Sequence, residues 1–292
     1  MPIIDAHMHI FDTQRPGGVP WPKKNDTVIY KPTLPDRYSK IARPLGVVGA
    51  IAVEASPLAS DNDWVLRVAA SNPIIVGVVG NLVPGIPSYM KELERLHSSP
   101  LFVGIRYGNL WDRDLGSDWR KPGFVDDLRV LANFGLELDS ANPDPALIHA
   151  LVHVSDRIPD LRIVIDHLPS VSIPTNVAAR KEYWSQLRHL GQNPYVFIKL
   201  SEIPVRVGQE VPKDIAFYKE MLDAIWEVFG EDHILYGSDW PNSDHFATYT
   251  ETLAIVRGYV SEKGHEARQK FFWKNSIAAY KWHRRQADQP LL

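Results

Sequence analysis

The stretch IDAHMHIF at 4–11 sets Asp5, His7 and His9 at alternate positions inside an apolar run. Side chains of a strand alternate between its faces. Asp5, His7 and His9 are therefore expected on one face, with Ile4, Ala6, Met8 and Ile10 on the other. Imidazole is the commonest metal ligand and acid–base group, so two of them beside a carboxylate suit a metal site or a proton-transfer site. YGSDWP at 236–241 is the second such stretch. There Pro241 biases Trp240 to an extended backbone and leaves Asp239 at a strand tip beside an indole. A carboxylate in that place serves as ligand or as base.

Residues this far apart in sequence need a frame to meet. Short Val- and Ile-rich runs bounded by turn residues alternate with helical patterns from GVVGAIAVEA (46–55) onward, and the N-terminal run brings the strand count to eight. Eight strands alternating with helices predict a parallel (β/α)8 barrel, here a single domain over 1–292 closed by a helix at about 266–285. No G-x-G-x-x-G follows a strand and no phosphate-binding P-loop is present, which disfavours an open nucleotide-binding sheet. The Pro- and Gly-rich segment at 12–36 reads as one long loop carrying Trp21 and Tyr30.

In such a barrel chemistry sits at the C-terminal strand ends. There the sequence places His7 and His9, Glu54, Asn81, Arg106, His167, Ser201 and Asp239. Alternation also puts Ala50, Ala52 and Glu54 on one face, small residues below a polar tip. Taken singly, Glu54 could cap a helix, Asn81 and Ser201 could serve turns, Arg106 could be a surface residue, and Asp5 reads as a buried hydrogen-bonding group. It is the convergence on one mouth that points to a site. His97, His149, His153, His189, His265 and His283 fall in predicted helices and read as surface or packing residues.

Composition narrows the field. A net charge of -3 with scattered Lys and Arg gives no basic stripe for nucleic acid. The absence of cysteine excludes disulfides, thiolate metal sites and cysteine nucleophiles, and fits a cytoplasmic protein. The longest apolar runs, at 47–53 and 74–80, are strand-sized, and no signal peptide is read ahead of the first strand. The expected partner is a small molecule, with neither nucleic acid nor membrane and with homo-oligomerisation open.

IDAHMH, GIR (104–106), DH (166–167), KLS (199–201) and GSDWP (237–241) together resemble the amidohydrolase superfamily, specifically its amidohydrolase-2 group. That group holds sugar-acid lactonases, a pyrone-dicarboxylate lactonase and ACMSD-like decarboxylases. The resemblance implies that His7 and His9 are the first-strand pair, His167 the sixth-strand histidine, and Asp239 the aspartate that handles the hydrolytic water. Strand 4, FVGIRYGN, lacks the lysine or glutamate that would bridge two metals, and strand 5, LELDS, lacks the histidine of mononuclear zinc decarboxylases. The expectation is a lactonase of a sugar acid or of a small aromatic or dicarboxylic acid, with a non-oxidative decarboxylase as the alternative. Asp239, His167 and Arg106 would be catalytic. Arg106, Glu54, Asn81, Lys199, Ser201 and Trp240 would bind substrate. At most one divalent ion, zinc first, would sit on His7, His9 and Asp239, with Glu54 as a further candidate ligand; the reaction could also run without metal. A sugar-acid-binding barrel without chemistry would need only Arg106, Lys199 and the loop aromatics Trp21, Trp111, Trp119 and Trp240.

Overall fold

A computed structural model describes residues 1–168 and 173–291. Eight strands, β1 (Ile3–Met8), β2 (Val47–Val53), β3 (Ile75–Gly80), β4 (Phe102–Arg106), β5 (Glu137–Ser140), β6 (Arg162–Ile165), β7 (Val196–Leu200) and β8 (Ile234–Tyr236), pair in chain order. All the pairings are parallel. The ring closes where Met8 bridges Trp240, with the Asp239 and His9 amides donating to the His7 and Trp240 carbonyls at 2.8 Å each. Around it run α1 (Pro35–Ala42), α2 (Ser60–Ala70), α3 (Tyr89–His97), α4 (Leu115–Asp118), α5 (Phe124–Asn133), α6 (Pro145–Arg157), α7 (Val177–Leu190), α8 (Ile215–Phe229) and α9 (Tyr249–Ser261). The molecule is a (β/α)8 barrel. Among the described residues no helix is long and apolar enough to cross a membrane.

Local chemistry starts these helices where the sequence implies. Asp144 accepts from the Leu147 amide at 2.8 Å with Pro145 opening α6, and Thr248 with Glu251 forms a reciprocal capping box on α9. Pro35 at the start of α1 is the same signal, and it ends the long N-terminal loop in a helix instead of a continuous coil. At the chain's other end the expected helix over 266–285 is broken. It runs as α10 (His265–Gln269), a π-turn at Lys270–Lys274 and α11 (Asn275–Tyr280), with Lys281 left-handed, so His283 lies beyond it.

The barrel interior is filled by Ile4, Ile51, Val53, Val76, Val103, Phe197 and their neighbours, and is closed below by Trp273, Tyr280 and Trp282 from the C-terminal segment. Asn275 on α11 donates to the carbonyls of Glu231 and Ile234 at the entry of β8, which fixes this plug at the end of the barrel opposite the C-terminal strand tips.

Two expectations about strand faces are corrected. Ile51 and Val53 point inward while Ala50 and Ala52 pack with the helix layer, the reverse of the predicted β2 parity. Along β1, Asp5 pairs with Ala50 but Met8 with Ala52, so three steps on one strand match two on the other. That irregularity breaks the alternation. Asp5 turns towards the helices, accepting from Tyr38 of α1 at 2.7 Å and Tyr249 of α9 at 3.0 Å, whereas His7 and His9 face the mouth.

Candidate active site

At the mouth, Asp239 leaves β8 with a left-handed backbone, φ 56°, and His167 leaves β6 with φ 53°. Non-glycine residues adopt that conformation at a cost, and it is concentrated at functional sites. It brings both side chains over the barrel axis. Asp239 Oδ1 lies 3.2 Å from His9 Nε2, 3.5 Å from His7 Nε2 and 4.0 Å from His167 Nε2. Its other oxygen, Oδ2, accepts from the Asn242 amide at 2.7 Å. Asp239 is thus held by one oxygen and presents the other to three imidazoles. Gly237 allows the approach of the two strands, since a Cβ there would meet His7 Cβ at 2.8 Å.

The imidazoles are fixed from behind. His9 Nδ1 lies 3.0 Å from the Val53 carbonyl, which only accepts, so Nδ1 carries the proton and Nε2 of a neutral ring faces Asp239 as a second acceptor. A proton or a cation between the two atoms resolves that opposition. His7 Nε2 is buried and has no hydrogen-bond partner among the described residues. His167 Nδ1 meets Ser201 Oγ at 2.8 Å, and its Nε2 meets Arg106 Nη2 at 3.3 Å; a guanidinium only donates, so Nε2 accepts and Nδ1 holds the proton.

Below the imidazoles lies an ion network with almost no solvent contact. Lys199 on β7 reaches Asp139 at 2.5 Å, Asp166 at 2.9 Å and His7 Nδ1 at 3.2 Å. Asp166 also takes Arg106 Nε at 3.0 Å, and Asp139 takes the Tyr280 hydroxyl at 2.9 Å. Burial alone would raise the Asp166 carboxyl, but the charges of Lys199 and Arg106, with a hydrogen bond from His7, hold it well below the usual range. Burial and the charge of Asp166 push Asp139 up to about 6. Burial also opposes ionisation of Asp239, yet His167, His9 and His7 outweigh it and keep the carboxylate ionised. Burial, reinforced by Lys199 and His167, lowers His7 and leaves it neutral at pH 7.

Above opens a cleft of about 190 Å³. His9, Glu54, Arg106, His167 and Asp239 border it, together with Trp21, Trp111, Asn142, Glu202 and Asn242. Four other expected substrate contacts lie elsewhere. Lys199 is fully buried under His7, Ser201 backs His167, Asn81 is tied to Asn62, Ser56 and Arg113, and Trp240 packs against Tyr38. Glu54 is a wall residue: its carboxylate accepts from the Trp111 indole at 3.0 and 2.9 Å and from the Ser56 amide at 3.0 Å. It joins no cluster of potential metal ligands among the described residues. Trp119 stacks on His153, whose contacts are with exposed His149 and Arg157.

His7, His9 and Asp239 do form such a cluster. Ligands about 2.0–2.1 Å from a tetrahedral zinc stand roughly 3.3–3.5 Å apart, close to the spacing of Asp239 Oδ1 from the two Nε2 atoms. The orphaned Nε2 of His7 and the lone pair of His9 aimed at a carboxylate are donors such an ion would satisfy. The donor set fits one divalent ion.

Asn242 and Glu202 were not found from the sequence. Asn242 stands three residues past Asp239 in the GSDWPN run, and Glu202 follows KLS directly, so proximity to motif residues was the available signal.

A parallel eight-stranded barrel gathering His-x-His from β1, a histidine beyond β6 and an aspartate beyond β8 at its C-terminal mouth defines an amidohydrolase-type hydrolase. The protein belongs to the Amidohydro_2 family of amidohydrolases, whose profile matches residues 4–282. It is 28% identical to an L-fucono-1,5-lactonase of Burkholderia ambifaria, with 98% of each chain covered, and 24% identical to an L-fucono-1,5-lactonase of Burkholderia multivorans, with 94% of each covered. A solved amidohydrolase of Burkholderia multivorans with bound zinc superposes with a TM-score of 0.82 at 20% identity, covering 97% of this chain and 100% of that one.

Proposed function

We propose that the protein hydrolyses the lactone of a sugar acid, with Asp239 as the base that activates water. The observation that carries this reading is a nearly solvent-free carboxylate with one oxygen anchored by Asn242 and the other 3.2–4.0 Å from three imidazole nitrogens. In the proposed reaction the Asp239 carboxylate takes a proton from water as the water oxygen attacks the ester carbonyl. Arg106, one N–H of which His167 accepts, lies beside that point as the donor for the developing oxyanion. The carbon–ring-oxygen bond then breaks, and the proton passes from Asp239 to the ring oxygen.

His7, His9 and Asp239 would hold a single divalent ion, with zinc the first candidate. Such an ion lowers the pKa of water to about 7 and polarises an ester carbonyl. The cleft's charges favour a neutral sugar lactone over a dicarboxylate. Glu54, Glu202 and Asp239 line it against the single guanidinium of Arg106, which Asp166 already engages at 3.0 Å. Decarboxylation has less support, because Asp139, the outermost charged group of β5, is committed to Lys199 and Tyr280 beneath the site.

The test is turnover of aldonolactones and aromatic lactones, with and without chelator, by the parent and by Asp239→Asn. Aldonolactones should be opened, and the variant should lose about two to four orders of magnitude in kcat with far less change in KM. Release of CO2 without lactone turnover would select the decarboxylase. Parent-like rates in a normally folded Asp239→Asn protein would move the base to His167.

A further inference from the structure

We infer that Glu202 is a specificity-determining residue that accepts a hydrogen bond from the hydroxyl on the ring carbon next to the scissile carbonyl; this rests on the lactonase reading. Three carboxylates border the cleft. Glu54 is held by Trp111 and the Ser56 amide, and Asp239 is anchored by Asn242 while its other oxygen faces the imidazoles. Both side chains are almost fully buried, whereas that of Glu202 is 26% exposed at the cleft wall, where a substrate can reach it.

Its position relative to the chemistry is narrow. The Asn242 amide nitrogen stands between the two acids, 2.7 Å from Asp239 Oδ2 and 3.3 Å from Glu202 Oε1. Glu202 Oε1 is also 4.0 Å from His167 Nε2, the same distance that separates His167 from Asp239 Oδ1. A carbonyl carbon placed for attack by a water on Asp239 therefore has its neighbouring ring carbon within reach of Glu202. A carboxylate only accepts, so it selects a hydroxyl there and repels an anionic substituent. The left-handed backbone of Glu202, φ 51°, turns the side chain out of the β7 line into this position.

The experiment compares kcat/KM for a hydroxylated 1,5-lactone, glucono-1,5-lactone, with that for its 2-deoxy analogue in the parent, Glu202→Ala and Glu202→Gln, with thermal melting as the folding control. The parent should prefer the hydroxylated ring. Glu202→Ala should reduce that preference at least ten-fold, mainly through KM, and Glu202→Gln, which keeps an acceptor oxygen, should restore part of it. A preference within three-fold of the parent's in folded Glu202→Ala overturns the assignment while leaving lactone hydrolysis standing. An equal loss on both substrates, carried by kcat, also overturns it by moving Glu202 into the chemistry. A parent enzyme that opens neither lactone overturns the lactonase reading itself, and that is read without any variant.

Discussion

Glu137 shows how far a single side chain departs from its solution behaviour inside this barrel. It is fully buried on β5 beside Asp139. Burial, with the charge of Asp139 added, raises its pKa well above the ordinary 4.5. The folded protein then binds one more proton than the unfolded chain between pH 4.5 and that raised value, so stability falls as pH rises through the window. Glu137→Gln resembles the protonated acid without the titration. Its melting temperature relative to the parent should therefore rise as pH is raised above 4.5; parallel curves would show that Glu137 does not titrate there.

The elements matter most at the seam between β1 and β8, where the two halves of the site meet. Asp239 and His9 exchange backbone bonds with His7 and Trp240 across it, and Asp5 accepts from the Ser238 amide at 2.8 Å. The strands can approach this closely because residue 237 has no side chain. In Gly237→Ala the new methyl would meet His7 Cβ at 2.8 Å and Ser201 Cβ at 3.2 Å, neither of which is the flexible end of a side chain. Overpacking of this kind costs about 1–3 kcal/mol. Urea unfolding should report that loss, and turnover should fall as well because the displaced residue is His7. A variant of parental stability would mean that the seam relaxes more easily than its packing indicates.

Across the whole molecule, the C-terminal segment supports a site it never touches. Trp282 is 4% exposed in the plug below the barrel and donates to Ser276 Oγ at 3.0 Å. Tyr280, two residues earlier, bonds Asp139, which bonds Lys199, which reaches His7. Replacing a buried tryptophan by alanine typically costs about 3–5 kcal/mol, so Trp282→Ala should lower the urea midpoint accordingly with the slope of the transition unchanged. A small effect would indicate that the plug repacks around the loss.

The eight-strand alternation, the His-x-His pair and Asp239 at its strand tip were legible in the chain, because apolar periodicity, turn residues and short motifs are local signals. The inward or outward facing of β1 and β2 was not. Irregular steps in the pairing break the alternation, and they exist only once the strands lie side by side. Nor was the division between cleft wall and supporting floor. Lys199 sits on a strand interior that could equally have met substrate, and its burial is decided by Asp139, 60 residues away, and by Asp166. Asn242, Glu202 and Trp111 lie beyond the strand ends in segments that carry no periodicity: Asn242 donates to Asp239 nearby and to Glu202 from 40 residues away, and Trp111 donates to Glu54 from 57 residues away. The sequence by itself determined which groups are available for chemistry and the barrel that gathers them. Tertiary packing alone decided which of them meet the cleft, because burial and partner charge are set by residues distant along the chain.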